Sequence, residues 1–159
     1  MSVRRGGDAD VDLLRAIRLE ALADTPEAYG STYAETAEWT DDQWLEVARR
    51  WTFFLAEDAT GVVGMATGGD HDGHPGTSWL YGMYVTPRAR GTGVAVELVD
   101  AVSTWARSRG ADSLYLHVTD AVPRAQAFYR RVGFAPTGEV ATLRRDAGVG
   151  LATLVKRLD

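Results

Sequence analysis

Between Val85 and Ala95 the chain reads Val-Thr-Pro-Arg-Ala-Arg-Gly-Thr-Gly-Val-Ala, and no other stretch restricts its fold as much. A strand-like run, Ser78–Val85, stops short of a proline; two glycines follow, and a helix begins at once. Val94, Leu98, Ala101, Val102 and Trp105 share one face of that helix, and Gly110 supplies its stop after Arg109. Such glycines let successive backbone N–H groups point into one concavity, to which the helix adds its unpaired first-turn donors and the positive end of its dipole. Arg88 and Arg90 add charge, and the whole suits a pyrophosphate. It is not a P-loop, because Val94 rather than lysine follows Gly93. Nor is it a Rossmann turn, because Val96 stands where the third glycine belongs.

The rest of the chain supplies elements on both sides of this turn. Val3–Arg5 reads as a first strand, and Val11, Leu14, Ile17, Ala21 and Leu22 give helical spacing from Asp10 to Ala23. Thr40-Asp41-Asp42-Gln43 is a capping box opening a helix to about Arg50. Thr52–Glu57 and Val62–Gly68 form a hairpin around Asp58-Ala59-Thr60-Gly61. Downstream, Ser113–Val118 alternates as a strand, and Ala121–Val132 is a helix with Pro123 in its first turn and Gly133 at its end. Phe134–Val140 and Gly150–Arg157 read as closing strands with a loop between them. One helical crossover makes Ser78–Val85 and Ser113–Val118 parallel neighbours in a mixed sheet.

Size and charge narrow the function classes. A chain of 159 residues with 45% apolar and 25% charged side chains fits one domain, residues 1–159. It has no cysteine, which removes disulfides, thiolate metal sites and cysteine nucleophiles. No apolar run suits a membrane span or a signal peptide, so the expected location is cytoplasmic with no membrane partner. A net charge of −5 argues against a nucleic-acid partner. The charge divides unevenly: residues 1–79 sum to −9 and residues 80–159 to +4, which favours an anionic ligand near the second half and a cationic one near the first.

A second motif lies about 35 residues beyond the first, Arg124-Ala125-Gln126-Ala127-Phe128-Tyr129-Arg130-Arg131-Val132-Gly133-Phe134. Together with Arg90-x-x-Gly93-x-Ala95, preceded by Val85-x-Pro87, it resembles the signatures of the GNAT (GCN5-related) N-acetyltransferases. The likeness is strong from Ser78 to about Gly138 and weaker elsewhere. One position departs from it: Val122 stands where the family usually carries an asparagine against the pantetheine arm.

The resemblance implies an α/β (α+β) fold with a mostly antiparallel sheet of six to seven strands, a splayed central parallel pair and about four flanking helices. It implies acetyl-CoA as cosubstrate, lying between Ser78–Val85 and Ser113–Val118. The backbone of Met83, Tyr84 and Val85 would pair with pantetheine, and Arg90 with the amides of Gly91, Thr92, Gly93, Val94 and Ala95 would hold the diphosphate. Arg88, Arg124 and Arg130 are candidates for the adenosine phosphate. Tyr129 would be the acid that protonates the departing thiolate, and transfer to a primary amine would be direct. His117, Glu35 and Glu38 are candidates for the base. The acceptor, an amine-bearing small molecule or peptide, would meet Tyr29, Ser31, Glu35, Trp79, Tyr81 and the 140–150 segment. Dimerisation is common in such proteins. No metal is expected, since His71-Asp72-Gly73-His74 lacks a third ligand at defined spacing. The competing function is a non-catalytic CoA-binding sensor or scaffold module.

Overall fold

The computed structural model describes residues 1–143 and 145–159. The chain begins with β1 (Ser2–Arg5), a 3-10 turn at Asp8–Asp10 and α1 (Val11–Asp24), which buries Leu14, Ile17, Ala21 and Leu22. A turn at Pro26–Ala28 leads to α2 (Tyr33–Ala37), capped by the Thr32 side chain, which accepts the Glu35 N–H. At the head of α3 (Asp41–Arg50) Thr40 and Gln43 make the reciprocal bonds of a capping box. Then come β2 (Thr52–Asp58), β3 (Gly61–Gly69) and β4 (Ser78–Val85), followed by α4 (Val94–Ser108), β5 (Ser113–Thr119) and α5 (Pro123–Arg131). The chain closes with β6 (Ala135–Leu143) and β7 (Asp146–Arg157).

The seven strands form one mixed sheet in the order β1-β2-β3-β4-β5-β7-β6, antiparallel except for β4 and β5. The sheet and its parallel pair are those expected. The helices among the described residues are five, the added one being α2. The closing strands also run further than expected: Val140–Leu143 pair with Ala152, Leu151, Gly150 and Asp146 across an irregular register, so much of the 140–150 segment is strand rather than loop, with residue 144 outside the described residues. Side chains of β6 are exposed almost throughout, so no apolar alternation marked the strand.

Each face of the sheet has its own core. On one, α4 and α5 bury Leu98, Val99, Val102, Tyr129 and Phe134 against Leu80, Leu114 and Leu154. On the other, α1 and α3 close over Phe53, Leu55, Met65 and Tyr84. Burial of each such side chain is worth about 1.5–3 kcal/mol, so both faces are held firmly.

The central pair is held much less. β4 and β5 share only the register pairs Ser78–Leu114 and Trp79–Tyr115, whereas β5 pairs with β7 along its whole length. Beyond Trp79 the two strands part. In β4 the register against β3 steps from Thr67–Tyr81 to Met65–Tyr84, one residue too many on the β4 side. That is a β-bulge, which bends its strand, and Gly82 supplies the left-handed turn at φ 57°.

Candidate functional site

Where β4 and β5 separate, a cavity of about 530 Å³ opens toward the N-terminus of α4 and the face of α5. Its rim is the Gly91–Gly93 turn. Gly91 and Gly93 have φ of 78° and 89°, and no side chain caps α4. Among the described residues the amides of Gly91, Thr92, Gly93, Val94, Ala95 and Val96 donate to no protein acceptor. Six adjacent donors without partners at the positive end of a 15-residue helix suit an anion. The Thr92 hydroxyl donates to the Ala89 carbonyl, which ties the turn down from below.

The β4 backbone contributes by alternation. The Thr86 N–H donates to the Val63 carbonyl, so Tyr84 directs its own polar groups at β3 and Val85 turns its groups to the cavity edge. Tyr84 therefore does not offer backbone to a ligand between β4 and β5, although its side chain lines the cavity and its hydroxyl donates to Glu20 at 2.8 Å. The carbonyls of Met83 and Val85 are already taken, the first by the Tyr29 hydroxyl at 2.9 Å and the second by Arg90 Nε at 3.1 Å.

Arg90 also pairs with Asp24 at 2.7 Å, so it braces the end of β4 against α1 rather than standing free for a diphosphate. The same contact, and then the Thr25 hydroxyl, hold the Asp24 carboxyl below its usual range. Arg88 reaches Thr60 in the β2–β3 turn, away from the cavity. Arg90, Arg124 and Arg131 line it, the last two with Phe128 between them on one face of α5; Arg130 does not. Arg131 escaped notice in the sequence, although the 124, 128, 131 spacing is a helical stripe.

Tyr129 lines the cavity from α5, 8% exposed and edge-on to Phe134. Its hydroxyl donates to no described residue. Burial, and to a lesser degree the nearby Tyr29, pushes its pKa well above the ordinary tyrosine value. Val122 lines the same cavity, apolar where an asparagine was expected; Asp120 is bonded to Gln126 instead.

A second cavity of about 580 Å³ lies on the α1 and α3 side of the sheet. Its walls include Trp39, Trp44, Trp51 and Tyr81, and Arg18, Ser31, Asp70 and Gly82 also border it. Of the acceptor-side candidates, Ser31 and Tyr81 are here, while Tyr29 belongs to the first cavity and Glu35 to neither. Tyr29 separates the two: its hydroxyl holds Met83 and its ring lies 5.0 Å from the Arg18 guanidinium. Burial raises its pKa to about 12. His117 lines neither cavity. It packs edge-on against Trp79 with its Nε2 buried and unbonded, and burial, then His71, lowers its pKa.

Comparison with known proteins agrees with this geometry. The model of the acetyltransferase (GNAT) family matches residues 15–134. An L-methionine sulfoximine/L-methionine sulfone acetyltransferase from Pseudomonas aeruginosa is 28% identical over 92% of this chain and 87% of its own. A mycothiol acetyltransferase from Thermobispora bispora is 33% identical over 79% of this chain, which spans only 43% of that longer relative. Among solved structures, the ribosomal-protein-alanine N-acetyltransferase of Brucella melitensis superposes with a TM-score of 0.78 at 26% identity, covering 99% of this chain and 100% of its own. A Salmonella typhimurium chain solved with acetyl-CoA as its cofactor shares the fold at a TM-score of 0.73 and 21% identity, over 100% of this chain and 94% of its own.

Proposed function

The chain belongs to the acetyltransferase (GNAT) family, and on that premise we propose that it moves acetyl from acetyl-CoA directly to a primary amine. The observation that carries the reading is the row of six unpartnered amides at the head of α4, opening on the same cavity that Tyr129 lines. When bound, acetyl-CoA supplies an acetyl thioester, which an amine nitrogen attacks with loss of the thiolate. The Gly91–Val96 amides take the diphosphate, with Arg124 and Arg131 on the opposite wall. Val85 offers its N–H to the carbonyl oxygen as negative charge gathers there. Tyr129 gives its phenolic proton to sulfur, and the nitrogen releases its proton to solvent. No cysteine exists to carry an acyl intermediate.

Relatives named for L-methionine sulfoximine and for mycothiol favour a small-molecule acceptor. The likeness to a ribosomal-protein-alanine enzyme keeps a protein N-terminus as the alternative. The test is calorimetric titration of coenzyme A into the wild type and Gly93→Val, joined to thiol release from acetyl-CoA with an amine panel. The wild type binds and turns over, and the variant, strained at a φ of 89°, loses binding. Equal affinity in the two proteins removes the turn as the diphosphate site. Binding without thiol release for any amine favours the sensor module.

A further inference from the structure

The stripe by which α1 seals against the sheet is apolar at Leu14, Ile17, Ala21 and Leu22, and Arg18 breaks it. Its side chain reaches β4 at the bulge. One guanidinium nitrogen lies 3.3 Å from where a Cβ on Gly82 would stand, a close approach at the bulge. On its other side is the ring of Tyr29. Arg18 thus sits in the wall of the acceptor cavity, at the point where β4 turns from β5 and the two cavities adjoin.

No described carboxylate or carbonyl pairs with it. Arg90 pairs with Asp24, Arg109 with Asp70 and Arg15 with Asp41, while Arg50, also on this cavity, is exposed and lies over the Trp51 ring. Glu20, two residues along α1, accepts from Tyr84 instead. Burial accordingly drags the Arg18 pKa down with only the Tyr29 hydroxyl opposing it. A tyrosine face is weak compensation for the half-buried guanidinium, which borders the cavity. A carboxylate entering the cavity meets a planar double donor ready for it.

We propose that the acceptor is a free α-amino acid, whose carboxylate pairs with Arg18 while the amine on the adjacent carbon stands at the Gly82–Met83 bulge beside the thioester channel. The side chain then lies among Trp39, Trp44, Trp51 and Tyr81, which favours an apolar or aromatic one. Protein N-termini and lysine side chains lack a carboxylate next to the amine and are excluded. The inference rests on the acetyl-transfer reading and names its substrate class; of the acidic residues in the first half of the sequence Asp70 and Asp72 border the cavity, and Asp70 is paired with Arg109.

The experiment compares thiol release with L-methionine, L-phenylalanine and L-tryptophan against the amide and the decarboxylated amine of each. Coenzyme A affinity is measured by calorimetry in the same preparations. The free acids are expected to exceed their amides by roughly a hundredfold in kcat/KM, the ratio lost when one partner of a buried charge pair is removed. Arg18→Gln brings the acid-to-amide ratio near one, Arg18→Lys restores part of it, and both keep coenzyme A affinity and thermal midpoint. Amides or amines used as well as the acids, an unchanged ratio in Arg18→Gln, or no acid accepted by an enzyme that binds coenzyme A overturns the proposal while leaving acetyl transfer intact. Failure to bind coenzyme A overturns the transfer reading itself, and this inference with it.

Discussion

Tyr129 combines a buried ring with a hydroxyl free of protein partners, and burial makes its ionised form unfavourable. A phenol whose pKa is raised stays protonated through neutral and mildly alkaline pH, which suits a donor to a thiolate. Tyr129→Phe is expected to lower kcat about a hundredfold at saturating acetyl-CoA with coenzyme A affinity kept. Because the raised pKa lies above the assay range, that loss is constant from about pH 6 to about pH 9. Steady-state rates across that range check it; a loss that vanishes at the acid end sinks the assignment. Tyr129 was legible from its motif. Arg90 was legible as a residue of the site but not in its contacts, since its partner Asp24 comes from a helix 66 residues earlier. Arg18 was legible in principle as a charge at the i+4 position from Leu14 on a buried stripe.

At the scale of elements, local chemistry decided how much could be read. β4 runs from Ser78 to Val85 as expected, because it is apolar and ends before Pro87. α3 starts at its capping box, and it carries Trp44 into the wall of the second cavity. Thr40→Ala leaves the Gln43 amide unpaired and is expected to cost about 1 kcal/mol of stability, measured by denaturant unfolding. α2 went unread: five residues are too short to show a period, although Thr32 and Glu35 carry a cap signature. The junction of β1 and α1 has its own titration. Arg4, then the Gly7 amide, lower the Asp10 pKa from 3.8 to about 2. The folded-state value is depressed, so the contact stabilises fully above pH 3.8 and its contribution fades as pH falls toward 2. Asp10→Asn is expected to flatten the acid limb of the stability curve over that interval, followed by circular dichroism.

For the whole molecule, close approach of α4 to the sheet sets the frame. A Cβ at Gly64 would meet the Tyr84 carbonyl at 2.9 Å and Leu98 at 3.0 Å. Gly64→Ala therefore forces β3 from β4 or α4 from the sheet, at about 1–3 kcal/mol, read as a lower thermal midpoint. A ligand seated between β4 and β5 acts the other way: coenzyme A at about a hundred times its Kd adds roughly 2.7 kcal/mol, and the midpoint rises with concentration. No helix among the described residues is long and apolar enough to cross a membrane.

A sheet with only two rungs between its central strands is cut almost through, and any tearing force collects at the root of the notch. That root is Trp79, wholly buried, its ring 5.4 Å from that of Tyr115 on the opposing strand. Aromatic contact across the divide thus stands where a crack would advance, and a smaller residue at position 79 would let the fissure deepen from its root.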